Sequence, residues 1–513
     1  MFPQETKAPP VPEVEDVPRW RPRLIAMGVL LGAVALLAAS VYVRQYFLGL
    51  GVTGLDRPGY WGVYIVNFVF FIGVSAGGII IASLVHAFGL EHFRSVARIA
   101  ELMAISCLLL AVCFIILDLG RPDRLLFIML HPHPASPLFW DVTAVNTYLF
   151  ISLIYGYLGT RADIVRVMHA KPRVAWFYRL LALGHTSLSP KTLRREHGLL
   201  KVLASIGLLA AVALHSVTAW IFGLQKARPG WFASIMAPLF IVSATVSGLA
   251  LLTVSVVAIR RLVAHPRIED QVIRRLGVLL AFSIPVLGYF LFAELLTAFY
   301  SAEPSVLQIF HTMMYGTYGP MFWGHLLVGL LLPMLLLLVV LGRIPRILVV
   351  GVGLIVSLIA AAVAWKFNLH SPSDSIPSYT VFGLGSLIGF GCLAVFGGGR
   401  MKEDIGIGLA GLLVVLGVLA ERWNIVVPSL VGHPFMIPGP VGYFPTGTEA
   451  ILACGVYAIG GLFFTFCIMV LPLVESEEAE EESRGETPTP EEVARQPERR
   501  WGFRVFGEPP REG

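Results

Sequence analysis

The sequence predicts an all-α, polytopic integral membrane protein, a bundle of about 10–12 transmembrane helices with both chain ends in the cytoplasm. Two observations carry this prediction, the composition and the spacing of apolar runs. Hydrophobic residues make up 56% of the 513 residues and charged residues only 14%, whereas a soluble protein carries about 25% charge. The positions of the basic residues then give the orientation.

About twelve apolar runs are long enough, or nearly so, to cross a bilayer, which takes roughly 20 residues. Their limits are near 24–48, 61–89, 98–118, 142–160, 199–223, 233–259, 275–300, 315–342, 347–366, 378–397, 403–421 and 447–473. We therefore expect a cytoplasmic extension over 1–23, a membrane domain over 24–473 and a disordered cytoplasmic tail over 474–513, acidic from Glu475 onward. The tail is either a docking segment or a solubilising end.

Positive charge alternates between the predicted loops. Arginine and lysine are frequent in the loops that begin near Glu91, Arg161, Arg260, Arg343 and Arg400, and scarce in the loops between them. By the positive-inside rule this places both ends of the chain inside, in the inner membrane of a cell. The basic connection 161–198 is either a docking surface for a cytoplasmic partner or anionic lipid, or an ordinary topogenic loop. The net charge of +5 therefore does not indicate nucleic acid.

The cysteines do not form a cofactor motif. Cys107, Cys113, Cys392, Cys454 and Cys467 are scattered through apolar runs, without CxxC or CxxCH spacing. We therefore expect no iron–sulfur cluster, no covalent haem and no metal site in this chain. His86 and His215 leave a haem b quinol-oxidase anchor open as a weaker alternative.

The most informative stretch lies between two apolar runs, from Asp118 to Asp141, and reads DLGRPDRLLFIMLHPHPASPLFWD. Ionisable groups at the edge of the hydrocarbon zone are expensive and usually functional. Asp118, Arg121, Asp123 and Arg124 alternate in sign, which predicts a paired network at a helix end. These four residues have either a functional role or a purely structural one, and the sequence favours neither.

His131, His133 and Asp141 are the candidate catalytic residues of this stretch. The two histidines lie between prolines, so their backbone is not helical. Asp141 opens the next helix, where the helix dipole alone favours an acid. A histidine and a carboxylate at the membrane edge could also accept the two protons of a quinol, because such acceptors need pKa values near neutral.

The second span carries a polar stripe. Tyr64, Asn67, Phe71, Ser75 and Gly78 follow a spacing of three to four residues and share one helix face. The stripe could hold a flat ring, or it could be ordinary small-residue packing. The other candidate cofactor-binding residues are Asp118, Arg121 and Asn146.

Three ionisable residues lie inside predicted spans, Glu101, Glu294 and His325. A charge at a helix centre costs roughly 2.5–3.5 kcal/mol on insertion scales. Residues of this kind usually mark a functional path. We therefore take these three as candidates for a proton path.

At DLGRPDR (118–124) and SPLFWD (136–141) the chain resembles the NrfD-like family. Its members are membrane subunits of polysulphide reductase, of sulphite-reduction-linked complexes and of alternative complex III. Three further stretches look similar: GVSAGG (73–78), ERWNIVVPS (421–429) and GYFPTGTE (442–449). The resemblance extends over roughly 55–473. Relatives usually have eight or ten spans, so extra spans near 347–397 would distinguish this chain.

The resemblance implies a subunit without redox cofactors of its own, not catalytic alone. Such subunits exchange electrons between a menaquinone or ubiquinone pool and a partner carrying [4Fe-4S] clusters, which a molybdopterin subunit or a multihaem cytochrome c can accompany. Carried over by motif, Asp141 and the preceding histidines are quinone-site groups, completed by the polar stripe of the second span. Glu101 and Glu294 are then candidates for proton translocation.

A secondary transporter is the main alternative. About twelve spans with both ends inside is a common transporter plan, and buried carboxylates suit ion coupling. The sequence lacks clear glycine- or proline-broken helix pairs at matching positions in two halves. A neighbouring gene that encodes an iron–sulfur protein would favour electron transfer over transport.

Overall fold

The computed structural model describes residues 22–56, 59–86, 93–263, 268–345, 402–431 and 442–471, together with 347–351, 353–355, 358 and 362. Within these residues, ten helices are long and apolar enough to cross a membrane. The predicted helical membrane fold is therefore confirmed. The predicted span 378–397 and half of 347–366 lie outside the described residues.

The helices are numbered along the chain. They are α1 (Pro22–Leu48), α2 (Val63–His86), α3 (Arg94–Asp118), the single turn α4 (Phe127–Leu130), α5 (Pro137–Ala170), the short α6 (Ala175–Leu181), α7 (Pro190–Gly223), α8 (Met236–Val263), α9 (Asp270–Ser301), α10 (Pro304–Tyr315), α11 (Gly319–Trp323), α12 (Leu332–Val340), α13 (Glu403–Val431) and α14 (Gly447–Val470). A π-helical segment, Gly324–Leu331, joins α11 to α12, so that Gly319–Val340 forms one span.

Local sequence explains where several helices begin. Proline occupies the first helical turn of α5, α7 and α10, where its missing N–H costs nothing. Ser189 caps α7 by accepting from the Thr192 N–H. Thr446 and Glu449 form a capping box at the start of α14.

Two helices run further than the apolar runs predict. α5 continues to Ala170, beyond the predicted limit at 160, because the charges of its last turns are paired: Arg98 and Arg166 each lie 2.6 Å from Asp163. α13 continues to Val431, beyond the predicted limit at 421. The predicted end of this span at 421 was therefore wrong, because residues 421–431 continue the helix and are all buried in the bundle.

α2 is the central helix, with 94% of its most apolar window buried. On one side it packs with α3 and α7, and α5 completes this first half of the bundle. On the other side it contacts α8 and α13, which pack with α9 and the Gly319–Val340 span as the second half. α1 and α14 form a pair that lies against α3 and α2.

Glycine pairs allow the closest helix contacts. A Cβ added at Gly77 of α2 would lie 2.4 Å from the carbonyl carbon of Gly248 of α8. A Cβ at Gly329 would lie 2.3 Å from the Cα of Gly417 of α13. Helices in membranes associate through close packing of this kind, because burial of apolar surface does not drive them together.

The start of α1 and the end of α14 lie at the same end of the bundle. Gly455 approaches Ala38, and Gly461 approaches Leu31, so the two helices run antiparallel. We call this the basic end, since α6 and the ends of α5 and α8 lie there. The opposite end, which carries the loops 119–136, 224–235 and 442–446, is called the motif end.

We predict that Gly77→Ala destabilises the protein by about 1–3 kcal/mol, the usual cost of forcing a methyl group into a packed core. Gly288→Ala on α9 is the matched control, because a Cβ there meets no atom within 4 Å. Thermal unfolding of the purified variants, followed by intrinsic tryptophan fluorescence in one detergent, measures both. Equal melting temperatures for the two variants would contradict the tight α2–α8 contact.

Candidate functional site

The 119–136 loop holds one exposed ion pair instead of the predicted four-residue network. Arg121 donates two hydrogen bonds of 3.0 Å to the two carboxylate oxygens of Asp123. These bonds lower the pKa of the Asp123 carboxyl. Asp118 lies apart, at the end of α3, and one of its oxygens is buried without a hydrogen-bond partner among the described residues.

Asp141 is the fifth residue of α5 and is buried, with 3% of its surface exposed. Thr218 of α7 donates a hydrogen bond of 2.5 Å to Asp141 Oδ1. Beside it, the Trp140 indole donates to the Pro134 carbonyl at 2.8 Å, which fixes the loop against the start of the helix. A carboxylate is thus held between two helices at the motif end.

His131 and His133 lie on the surface of the same loop, and neither makes a hydrogen bond to Asp141 within the described residues. The two histidines therefore precede Asp141 in the chain, but hydrogen bonds do not join the three residues into one set. Large apolar side chains are exposed around them: Leu126, Phe127, Leu130, Leu138 and Trp140. An exposed apolar patch on a membrane protein's edge is open to lipid.

The first part of the predicted stripe on α2 is packed against α1, α3 and α14. Tyr64 donates to Gln45 of α1 at 2.9 Å. Asn67 accepts a short hydrogen bond from Tyr457 of α14. Phe71 stacks on Phe114 of α3, with ring centroids 5.8 Å apart. The shared face is present, and neighbouring helices cover it.

The second part of the stripe also makes packing contacts. The Ser75 carbonyl accepts from the Tyr148 hydroxyl at 3.1 Å. A Cβ on Gly78 would lie 2.4 Å from the Ala100 carbonyl oxygen, so α2 and α3 touch there. Asn146 is exposed and donates to the carbonyl of Val142, one turn earlier on α5.

A carboxylate outside the predicted set ties the motif end together. Glu449 is fully buried and accepts from the Gly54 N–H at 2.8 Å, the Thr446 N–H at 2.9 Å and the Tyr443 hydroxyl at 2.6 Å. Burial raises the pKa of the Tyr443 phenol, so it stays protonated. The Tyr443 oxygen in turn accepts from the Val63 N–H at 2.9 Å, which holds the start of α2.

The second half of the bundle contains a cavity of about 50 Å³ that several polar side chains line. Its polar lining includes Glu294 of α9, His325 of the π-helical segment, and Glu421 and Asn424 of α13. The rest of its wall is mainly apolar. The structure thus brings two predicted proton-path residues, Glu294 and His325, to one cavity. The π-helical turn, a geometry frequent at functional sites, holds His325 there.

Several polar atoms of this region have no hydrogen-bond partner within the described residues. They are Glu421 Oε1, His325 Nε2 and both side-chain polar atoms of Asn424, while Glu421 Oε2 accepts from Ser243 at 2.5 Å. Buried polar groups in native proteins are normally paired with protein or with ordered water. A water needs roughly 10–15 Å³ of such space, so the cavity has room for a few.

Arg422 lies between the two halves of the bundle. Its guanidinium is 3.7 Å from Glu421 and sits over the Phe240 ring, 4.2 Å from the ring centroid. A Cβ on Gly73 of α2 would lie 3.6 Å from it. His215 stands nearby on α7, with Nδ1 2.5 Å from the Ala211 carbonyl and Nε2 3.2 Å from the Ile72 carbonyl.

The contacts of His215 argue against its role as a haem ligand in the haem b alternative. Both ring nitrogens of His215 are engaged with backbone carbonyls, which is the arrangement of a packing residue. The side chain of His86 lies outside the described part of the chain. Among the described residues, no group of three or more His, Cys, Asp or Glu side chains could hold a metal ion.

Glu101 occupies a separate place, on α3. Its Oε1 is buried without a hydrogen-bond partner among the described residues. A Cβ on Gly156 of α5 would come within 3.3 Å of it, so the glycine leaves room for the carboxylate. Ser75 and Tyr148, joined by the hydrogen bond above, lie on the two helices that flank α3 and contribute polar groups to the same interior.

The sequence reasoning missed Glu421, Arg422 and Asn424 as site residues, although ERWNIVVPS stood out as a motif. The available signal was three polar residues directly continuing an apolar run. Hydropathy ends a span at such a cluster, whereas the structure buries it within one long helix. Glu449 was likewise missed as a site residue, although it is the last residue of the GYFPTGTE motif.

Comparison with known proteins places the chain in a family. The family described as "Polysulphide reductase, NrfD" matches residues 51–367. The chain is also 35% identical over 280 residues to a protein of Halobacterium salinarum that is named as a putative membrane subunit of dimethyl sulfoxide reductase. That match covers 53% of this chain and 62% of the relative, which is less than two thirds of the relative's length.

Two further relatives carry related names. One, from Mesobacillus selenatarsenatis, is named as a subunit of selenate reductase and is 25% identical over 467 residues, covering 88% of this chain and 94% of that protein. "Hdr-like menaquinol oxidoreductase integral membrane subunit" of Archaeoglobus fulgidus is 26% identical over 315 residues, covering 61% and 70%. With its ten membrane-crossing helices among the described residues and a family match over more than half its length, the chain is a multi-pass membrane protein that belongs to the NrfD polysulphide reductase family.

Proposed function

We propose that this chain is the quinone-binding membrane subunit of a redox complex. It exchanges electrons between a menaquinone or ubiquinone pool and an iron–sulfur partner, which a molybdopterin subunit or a multihaem cytochrome c can accompany. The observation that carries the proposal is Asp141, a buried carboxylate held by Thr218 beside a lipid-open apolar patch. The names of the relatives, membrane subunits of reductases and of a menaquinol oxidoreductase, support it.

The proposed chemistry is reversible proton-coupled electron transfer. Quinol oxidation releases two protons and two electrons; quinone reduction takes up the same number. Asp141 accepts or returns one proton at a ring oxygen, because a carboxylate buried beside a hydroxyl donor can exist in either form. The second proton passes to or from His131 or His133, and both histidines exchange protons with water at the surface. The electrons cross to the partner subunit at the motif end.

Access supports the same location. A quinone carries a long apolar tail and moves within the bilayer, so its site needs an opening towards lipid. The exposed apolar side chains from Leu126 to Trp140 form a surface near the start of α5 that a lipid-soluble molecule can approach. The ring enters between α5 and α7, where Thr218 meets Asp141.

The cavity lined by Glu294 and His325 supports a second part of the proposal, proton translocation. Glu294, His325 and Glu421 line one small cavity, so they can exchange protons with each other and with bound water. We place Glu101 on the same path, nearer the basic end of the bundle. In this proposal the protein lies in the inner membrane of a cell and its basic end faces the cytoplasm. The distribution of arginine and lysine favours this orientation.

A secondary transporter is the second candidate function. The same cavity favours it, because the carboxylates of Glu294 and Glu421 beside a space of this size suit ion binding. Purification of the tagged chain from its native membrane separates the two. An iron–sulfur protein and bound quinone in the preparation support electron transfer, whereas a partnerless, quinone-free chain supports transport.

We predict that Asp141→Asn lowers quinone-dependent turnover of the complex by about 10²–10⁴-fold, the usual contribution of a positioned acid or base. Asparagine keeps the shape and the Thr218 contact and removes the exchangeable proton. Turnover with a soluble quinol analogue measures the loss. His133→Ala is expected to lower turnover less, since its ring is exposed.

Asp123→Asn is the matched control, because this carboxylate lies in the same loop, is exposed and is paired with Arg121. It should retain full turnover. Gel electrophoresis of each purified complex shows whether all of its polypeptides have assembled. Normal turnover in both Asp141→Asn and His133→Ala would remove this site from the proposal.

For the proton path, we predict that Glu294→Gln reduces the number of protons moved per electron while electron transfer continues. Glutamine fills the same space in the cavity and cannot carry a proton. The ratio is measured in proteoliposomes with a pH-sensitive dye. Glu303→Gln, just beyond the same helix and exposed, serves as control. An unchanged ratio in Glu294→Gln would exclude the cavity from the path.

A further inference from the structure

The basic end of the bundle carries exposed positive charges on α6, on the turn before it and on the first twelve residues of α7. We call this region the α6–α7 surface. Its members are Arg173, Arg179, Lys191, Arg194, Arg195 and Lys201. Within the part of the chain that the structure describes, none of the six forms an ion pair.

Other basic residues at this end do have acidic partners. Arg261 lies 2.5 Å from Asp404, and Arg274 lies 2.5 Å from Glu403. Arg161, at the base of the α6–α7 surface, is buried against Glu196 at 2.5 Å. Acids of α13 therefore neutralise these two arginines of the second half. The unpaired charge is concentrated on the α6–α7 surface.

The acidic complement occurs in the same chain. Residues 475–482 read ESEEAEEE and contain six glutamates. The six glutamates match the six unpaired basic residues in number and are opposite in sign. The run begins four residues after Leu471. Leu471 directly follows α14 and is the last described residue of the chain.

α14 ends directly against α6. The Tyr178 hydroxyl of α6 donates to the Val470 carbonyl at 3.2 Å. Val470 also packs in one apolar cluster with Ile164 and Val165 of α5. Four extended residues span at most about 14 Å, and each further residue adds about 3.5 Å. The acidic run therefore starts within reach of the α6–α7 surface and is tethered to it.

We propose that residues 475–482 bind the α6–α7 surface and cover its positive charge. Tethering makes the contact intramolecular and raises the effective concentration of the acidic run. Exposed ion pairs are individually weak and screened by salt, so the contact depends on several pairs acting together and weakens as ionic strength rises. The covered surface is then shielded from anionic lipid headgroups and from other acidic proteins.

Zero-length carbodiimide crosslinking tests the proposal, because it joins a carboxylate only to an amine in direct contact. The full-length complex is held in nanodiscs of phosphatidylcholine at low salt, and crosslinked peptides are identified by mass spectrometry. We expect Lys191 and Lys201 to be joined to glutamates of 475–482. High salt should reduce the yield by roughly tenfold, since the pairs are exposed.

Two variants keep the test specific. Changing all six glutamates of the run to glutamine should abolish the crosslinks without unfolding the bundle. Changing Arg173, Arg179, Arg194 and Arg195 to glutamine leaves both lysine reporters in place and should lower the yield by roughly tenfold, because single exposed pairs contribute little. An equal crosslinking yield in the four-arginine variant and in the unchanged protein would overturn the proposal.

Two other ligands of the α6–α7 surface, anionic lipid and another polypeptide, would give different crosslinking results. If phosphatidylglycerol added to the nanodiscs removes the crosslinks, the surface belongs to anionic lipid and the proposal fails. If the lysines are joined only to carboxylates of another polypeptide of the complex, the surface is a partner interface and the proposal fails equally. Crosslinks to residues 475–482 that persist with phosphatidylglycerol support it.

Discussion

The contact between α2 and α8 at Gly77 and Gly248 is the constraint on which the rest of the structure depends. Because both residues lack a Cβ, the two backbones meet at van der Waals distance and join the two halves of the bundle. The same approach brings Gly73 of α2 next to Arg422 of α13. A guanidinium can lie in this interior only because α2, α8 and the Glu421 carboxylate enclose it.

The polar interior is divided between two places with different chemistry. Asp141 is buried near the start of α5 in the first half, beside exposed apolar side chains of the motif end, which is the setting that the proposed quinone site needs. The Glu294–His325 cavity lies within the second half and suits small mobile species such as protons and water. His215 and Arg422 stand between them, so the charge state of one half can influence the other through a short range of low-dielectric protein.

Much of this could be predicted from the sequence. Apolar length and basic loops gave the helical membrane fold, and the cost of buried charge directed attention to Asp141, Glu294 and His325. Three features could not be predicted. The burial of Arg422 depends on partners from other helices, the π-helical turn at His325 has no hydropathy signature, and the Tyr64–Asn67 face looks the same in sequence whether a ligand or the side chains of α1 and α14 cover it.

Photoaffinity labelling with an azido-quinone on the native complex tests the central claim most directly. The account predicts adducts within 126–145 and on α7 around Thr218, removed by excess menaquinone. Competed adducts confined to the walls of the Glu294–His325 cavity, or no competed adducts in this chain, would contradict a quinone site at Asp141.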